Sequence, residues 1–232
     1  FSKPLRILEA RTPGEVLPLL AEVEAAAGKG LHAAGFVAYE AAPAFDAALA
    51  TRPSGPLPLA WFGIYQEPQR FDRLPAPPTE TLLPRDWLPS MTYTEYQAAI
   101  QRIHDWIAAG HTYQVNFTLR LRAPFSGDAW PLFLRLWQNQ RAPFGAYLDM
   151  GEHVLCSASP ELFFDRQAEH IFCRPMKGTA PRGLTWGADE DHRRALAACP
   201  KNRAENAMIV DMIRNDLGRV ARTGSVRVES RF

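Results

Sequence analysis

The stretch "GAYLDMGEHVLCSASPELFFDRQAEHIFC", residues 145–173, decides the fold class. It reads as three strand-like runs, 145–150, 153–158 and 161–173, the last broken by a turn near Arg166-Gln167. Consecutive strands joined by turns of a few residues can only pair antiparallel, because a parallel crossover needs a dozen or more residues. The class is therefore α+β, with antiparallel sheets packed with helices, rather than a doubly wound parallel sheet.

The last run ends in "IFCRPMKGTAPRG", residues 171–183. Lys177 stands just before Gly178-Thr179 and between two arginines, Arg174 and Arg182. One reading is a solvated turn lysine. The other is a nucleophilic amine whose pKa the nearby cations push down. A P-loop is excluded, since that pattern needs Gly-Lys-Ser/Thr after a Gly-rich run and here the order is Lys-Gly-Thr.

Further on, "KNRAENAMIVDMIRNDLGRV" (201–220) predicts a helix with Met208, Ile209, Met212 and Ile213 along its apolar stripe. Glu205 lies three, four and seven residues before Met208, Ile209 and Met212. At 3.6 residues per turn that puts it on the stripe. A carboxylate there needs a cation. Arg203, Arg214 or another arginine would satisfy it, and so would a hard cation such as Mg²⁺, which takes one or two carboxylates and keeps waters or substrate oxygens. Glu161 opens an apolar strand, alternating with Phe163 and Asp165. It reads as an exposed turn glutamate or as a carboxyl in a partly apolar cleft, able to donate a proton near neutral pH. "SVRVES" (225–230) suggests a final strand.

Upstream, Asp128 caps a predicted helix over 128–140, and "TYQVNFTLRLRA" (112–123) alternates as a strand does. "TEYQAAIQRIHDWIAAG" (94–110) predicts a helix, with Thr94 and Gln97 as capping box, Tyr96, Ile100, Ile103 and Ile107 as its stripe, and Gly110 at its end. Residues 66–90 are proline-rich and hold little regular structure. They read as a linker between an N-terminal part, 1–65, and a main body, 91–232. In the N-terminal part, Thr12, Pro13 and Glu15 open a helix with stripe residues Val16, Leu19, Leu20 and Val23. Pro18 argues against its being straight. "GFVAYEA" (35–41) and "LAWFGIY" (59–65) read as strands.

Bulk properties narrow the classes. The chain has 232 residues, 47% of them hydrophobic and 22% charged, with a net charge of +1. That composition buries a real core. It gives no reason to expect nucleic acid or an anionic membrane as partner, and no apolar run approaches the roughly 20 residues of a membrane span. Cys156, Cys173 and Cys199 form no Cys-x-x-Cys unit, so they are expected to stay reduced in a cytoplasmic setting. The six histidines have no zinc-ligand spacing, and the six tryptophans serve packing.

Four strings in this order and spacing, "TYQVNFTLRL", "SPELFF", "RPMKGTAPRG" and "AENAMIVDMIRNDLGRV", resemble the chorismate-utilising enzymes, among them the component I chains of anthranilate and aminodeoxychorismate synthases and the isochorismate and salicylate synthases. The match is dense from Tyr93 to Glu229. Over residues 1–90 it is looser, with "GFVAYEAAPAFD" similar to the aminodeoxychorismate branch. The resemblance implies that a lysine at position 177 marks that branch, where anthranilate synthases typically have alanine. It also implies that Gln114 stands where isochorismate and salicylate synthases carry a water-activating lysine, which fits ammonia as incoming nucleophile.

By the same resemblance, chorismate is the substrate, with Gln114, Gly178 and Thr179 in its pocket. Lys177 is the covalent nucleophile, Glu161 the general acid, and Glu205 a ligand of Mg²⁺. A glutamine amidotransferase partner supplies ammonia, and the product, 4-amino-4-deoxychorismate, serves folate synthesis. Residues 91–232 then correspond to the N-terminal half of a chorismate-binding catalytic region. A second metal-binding glutamate, a histidine and a carboxylate-binding turn are expected beyond Phe232, so the chain reads as a fragment. The alternatives are anthranilate synthase component I, or an inactive fragment that only binds. The tryptophan site of anthranilate synthases is not expected, because "ILEA" (7–10) lacks the serine of Leu-Leu-Glu-Ser.

Overall fold

The computed structural model describes residues 1–79, 83–141 and 143–229. Its strands and helices are β1 (Arg6–Ala10), α1 (Pro13–Gly28), β2 (His32–Val37), β3 (Ala60–Tyr65), β4 (Leu88–Pro89), α2 (Tyr93–Ala108), β5 (Leu121–Arg122), α3 (Ala129–Gln140), β6 (Phe144–Asp149), β7 (Val154–Ser159), β8 (Leu162–Gln167), β9 (His170–Arg174), α4 (Trp186–Ala198) and α5 (Pro200–Gly218). The expected α+β class holds: β1 and β2 flank β3, and the pairs β1/β3, β2/β3, β4/β5 and β8/β9 are all antiparallel. β6 pairs with β7 in a two-stranded sheet of its own. The chain divides into two compact units, one of Phe1–Pro77 with Tyr147–Cys156, the other of Pro78–Ala146 with Ser157–Phe232.

The first unit holds most of the dry core. Leu8, Ala10, Ala60 and Phe62 share one face of the sheet through the Leu8↔Phe62 and Ala10↔Ala60 register. Against them packs the α1 stripe of Val16, Leu19, Leu20 and Val23. β3 is the central strand, and Ile64 is fully buried in it. α1 starts where the sequence places it: the Glu15 carboxylate accepts the backbone N–H groups of Arg11 (2.8 Å) and Thr12 (2.9 Å), which helix geometry would otherwise leave unpaired. Those bonds hold the Glu15 carboxyl below its ordinary pKa. The helix runs unbroken through Pro18. It gives up one intrahelical bond there, and burial of Val16 and Leu19 on either side offsets the loss.

In the second unit α2 begins two residues earlier than the expected Thr94–Gln97 capping box would place it. The cap is Thr92, whose hydroxyl accepts the Glu95 N–H (3.3 Å), while the Glu95 carboxylate accepts the Thr92 N–H (2.7 Å). Thr92-x-x-Glu95 and Thr94-x-x-Gln97 have the same spacing, and the charged acceptor of the first makes the stronger bonds. Asp128 caps α3 as expected, accepting the Trp130 N–H at 2.9 Å.

Several expectations are corrected. The alternating run 112–123 forms a ladder only at Leu121–Arg122, because β4, its partner, is two residues long. The strand expected over 35–41 spans His32–Val37 and gives way to a 3₁₀ turn at Tyr39–Ala44. Arg166 and Gln167 lie within the β8/β9 ladder, paired with Ile171 and His170. The turn falls at Ala168-Glu169, with Ala168 in the left-handed region at φ 51°. Residues 225–229 carry no strand, and Ser230, the end of the strand expected there, lies outside the described residues, as do residues 80–82 of the proline-rich run. No residue of α5 is fully buried, so its apolar stripe is half-wet, with Met212 48% exposed. α4, β1 and the two-residue β4 are elements the sequence pattern does not announce. No helix among the described residues is long and apolar enough to cross a membrane.

Candidate active site

The β8/β9 hairpin carries two of the candidate residues, one near each outer end. Leu162 of β8 faces Arg174 of β9, so the residues just outside that pair, Glu161 and Pro175-Met176-Lys177, leave the hairpin side by side. A hydrogen bond joins them: Glu161 Oε1 accepts the Met176 N–H at 3.3 Å. Glu161 is itself set by a local turn, in which its N–H donates to the Ser159 hydroxyl at 3.2 Å. One residue on, the half-buried Lys177 reaches across to the Asn116 side chain, with Nζ 3.5 Å from Oδ1. Asn116 is a residue the sequence reading passes over. Its one signal is its place inside "TYQVNFTLRL", two positions after Gln114.

Gly178 turns the chain away at φ +80°, a conformation that favours glycine. A side chain there would also meet α5, since a Cβ would lie 2.8 Å from Asn202 Cγ. The lysine loop is thus seated on the first turns of α5. Glu205 is one turn further along that helix, its side chain 22% exposed, and its partner is the Lys201 ammonium at 3.2 Å rather than an arginine. Arg214 is engaged with Asp211 (2.9 Å), and Arg203 donates to the Ala197 carbonyl (3.4 Å). Among the described residues no hydrogen bond or ion pair joins Glu205 to Lys177 or Glu161. Gln114 is half-buried, its backbone carbonyl accepting the Thr112 hydroxyl at 3.1 Å, and Thr179 is exposed.

The two arginines flanking Lys177 are both occupied. The Arg174 guanidinium lies over the Phe172 ring, 5.4 Å from its centroid. Arg182 forms a two-pronged pair with Asp189 of α4, both contacts 2.6 Å. Asp189 also accepts the Gly183 N–H at 2.9 Å. The Arg182 bonds, then the Gly183 N–H, hold the Asp189 carboxyl at a pKa of about 2, down from the ordinary 3.8. Arg182 therefore does not stand as a bare charge beside the loop.

A hard cation would find one half-buried carboxylate here, Glu205. No three His, Cys, Asp or Glu side chains come together among the described residues. A single carboxylate fits magnesium, which completes its shell with water and substrate oxygens. The cation would have to displace the Lys201 ammonium. Cys156, Cys173 and Cys199 form no disulfide with one another, and burial pushes the thiols of Cys156 and Cys173 above the ordinary range.

The hairpin thus sets a carboxylate beside a lysine loop, and that loop packs on a helix bearing a second carboxylate. The chain belongs to the chorismate binding enzyme family, whose pattern matches residues 10–232. It is 44% identical over 146 residues to aminodeoxychorismate synthase component 1 of Salmonella typhimurium strain LT2, covering 63% of this chain and 32% of that one. It is 40% identical over 133 residues to anthranilate synthase component 1 of Thermus thermophilus, covering 57% and 29%. The fold superposes on the crystal structure of anthranilate synthase component I from Streptococcus pneumoniae TIGR4 with a TM-score of 0.66 at 21% identity, over 82% of this chain and 50% of that one. The chain spans about a third of the length of the curated relatives it matches.

Proposed function

We propose that the chain carries the nucleophile and the general acid of an aminodeoxychorismate synthase component I. The observation that carries this reading is the Glu161–Met176 hydrogen bond, which puts a carboxyl next to the backbone of a half-buried lysine. The Lys177 amine attacks ring carbon C2 of chorismate while the C4–O bond breaks, and Glu161 delivers the proton that lets the hydroxyl leave as water. Ammonia then bonds to C4, the C2–N bond to Lys177 breaks, and the lysine regains its electron pair. Two allylic displacements replace one difficult substitution. Asn116 orients the amine. Gln114, Gly178 and Thr179 line the pocket, and Gln114 offers no base to activate water.

Glu205 would supply one ligand of a magnesium ion, which would contribute Lewis-acid stabilisation of developing charge. Relatives named "component 1" support a second component, which in this reading is a glutamine amidotransferase that supplies ammonia in the cytoplasm for folate-precursor synthesis. The likeness to the Thermus anthranilate synthase favours a second reading, and Lys177 separates the two, because an alanine there could form no covalent intermediate. In a preparation that turns chorismate over when ammonia is present, mass spectrometry with chorismate and Mg²⁺ but no ammonia should find an adduct on Lys177 that Lys177→Ala abolishes. Parental turnover by Lys177→Ala, with no adduct in the parent, would overturn the reading.

A further inference from the structure

We infer that Asp189 is a positioning residue for Lys177, acting through the loop between them. The inference rests on the reading of Lys177 as the nucleophile and adds the device that holds it in place. Residues 177–183 form an irregular segment with no strand or helix, and such a segment moves unless something fixes its ends. Its start is fixed by the Glu161–Met176 bond. Its far end is fixed by Asp189, which takes both prongs of Arg182 and the Gly183 N–H on one carboxylate.

The fit at that end leaves no slack. A Cβ on Gly183 would run into the Ala188–Asp189 backbone, so the loop lies directly on the first turn of α4. That turn is itself capped, the Thr185 hydroxyl accepting the Ala188 N–H at 3.2 Å. His192, one turn beyond Asp189, sets its Nδ1 2.9 Å from the Pro181 carbonyl oxygen. Three successive residues of the loop, Pro181, Arg182 and Gly183, are therefore held by one face of α4. A two-pronged Arg–carboxylate pair constrains orientation as well as distance, so it fixes the direction in which the loop approaches Lys177. The low pKa of Asp189 keeps the latch charged across the range in which an amine nucleophile works.

The test needs no substrate. Amine acetylation of the full chain, resolved by residue with mass spectrometry, should label Lys177 about threefold or more faster in Asp189→Ala than in the parent, because releasing the loop exposes a half-buried amine. Lys29, in the other unit, serves as reference and should not change. Asp189→Asn keeps an acceptor for the Gly183 N–H but loses the charge, so it should fall between. Arg182→Gln should also raise labelling, and combining it with Asp189→Ala should add little, as expected for partners in one contact. A role confined to stabilising α4 would lower the melting temperature and leave the Lys177-to-Lys29 labelling ratio unchanged. That unchanged ratio in both Asp189→Ala and Arg182→Gln would overturn the inference. Failure of the function reading shows separately, as absence of the chorismate adduct in a parent whose Lys177 is still held.

Discussion

The two units of the molecule handle their apolar residues in opposite ways. In the first, α1 and a three-stranded sheet cover one another, and Ala10, Val16, Ala41, Ala60 and Ile64 are sealed from water. In the second, among the described residues, burial is concentrated at Phe133 and Leu134 of α3, while Phe163 (85% exposed), Trp186 (84%) and Met212 (48%) face solvent. The candidate chemistry lies wholly in the second unit. There, position is held by directional polar contacts: carboxylate to backbone N–H, lysine to amide, arginine to carboxylate. Packing specifies the first unit and hydrogen-bond geometry specifies the loop, so substitutions in the two should fail differently.

The sharpest difference should appear in turnover. In a preparation that turns chorismate over, Glu161→Gln should cost about 10²–10⁴-fold in kcat, the usual contribution of a general acid, while substrate binding and the unfolding curve hold. A glutamine still accepts the Met176 N–H, so only the proton is lost. Near-parental kcat would break the comparison by making Glu161 a turn residue. Next in size is Ile64→Ala, which empties a site with no solvent access. It should destabilise the first unit by about 2–5 kcal/mol. Met212→Ala in the second unit, already half in water, should stay within about 0.5 kcal/mol. Urea unfolding followed by tryptophan fluorescence measures both.

What the sequence conveys follows the same division. The α1 stripe and its Thr12-Pro13-Glu15 start are legible because a dry face and a cap are local properties. The hairpin 162–174 is legible because its strands are neighbours in sequence. By contrast, "TYQVNFTLRLRA" shows alternation but not the length of its partner, and a strand extends only as far as its partner does. α4 is hard to see: its residues Gly187, Asp189, Glu190, Asp191, His192, Arg193 and Arg194 supply no stripe, and only the Thr185 cap and the acidic first turn mark it. Asn116 and Asn202 meet the lysine loop from distant positions in the chain, and Asp189 meets it across an irregular turn, so no spacing rule reports these contacts. Glu205 shows the limit of periodicity. The pattern puts it on the drier face, where it is half-buried, and its partner Lys201 stands at the i,i+4 spacing at which helix side chains meet, a signal that looking only for arginines misses.

A mid-sized effect tests how Gly178 bridges the two kinds of specification. Gly178→Ala places a side chain at φ +80°, which costs about 1–2 kcal/mol, and drives a Cβ to 2.8 Å from Asn202 Cγ. Adding Asn202→Ala should relieve the collision and leave the backbone strain, so the double variant should recover only part of the loss. Full recovery would mean that packing alone requires the glycine. No recovery would mean that the backbone alone does.

The smallest expected effect is electrostatic, and it compares one carboxylate from each unit. Glu15 and Asp189 both have depressed folded-state pKa values, Glu15 through backbone donors at a helix start, Asp189 first through the Arg182 side chain. A depressed value means that the folded state holds the ionised form more strongly than the unfolded state does. Each group's contribution is therefore present above its unfolded pKa and is lost as pH falls through the folded one. For Asp189 that window runs from about 3.8 down to about 2. Because Arg182 is largely exposed, the contribution is small and screened by salt. Carboxyl carbon NMR should place the Asp189 midpoint near 2 in the parent and move it back towards 3.8 in Arg182→Gln, while Glu15 does not move. The return should be incomplete, because the Gly183 N–H still donates to the carboxylate. A midpoint in Arg182→Gln that stays near 2 would assign the depression to the backbone in both units, and with it the claim that side-chain pairing distinguishes the lysine loop would fall.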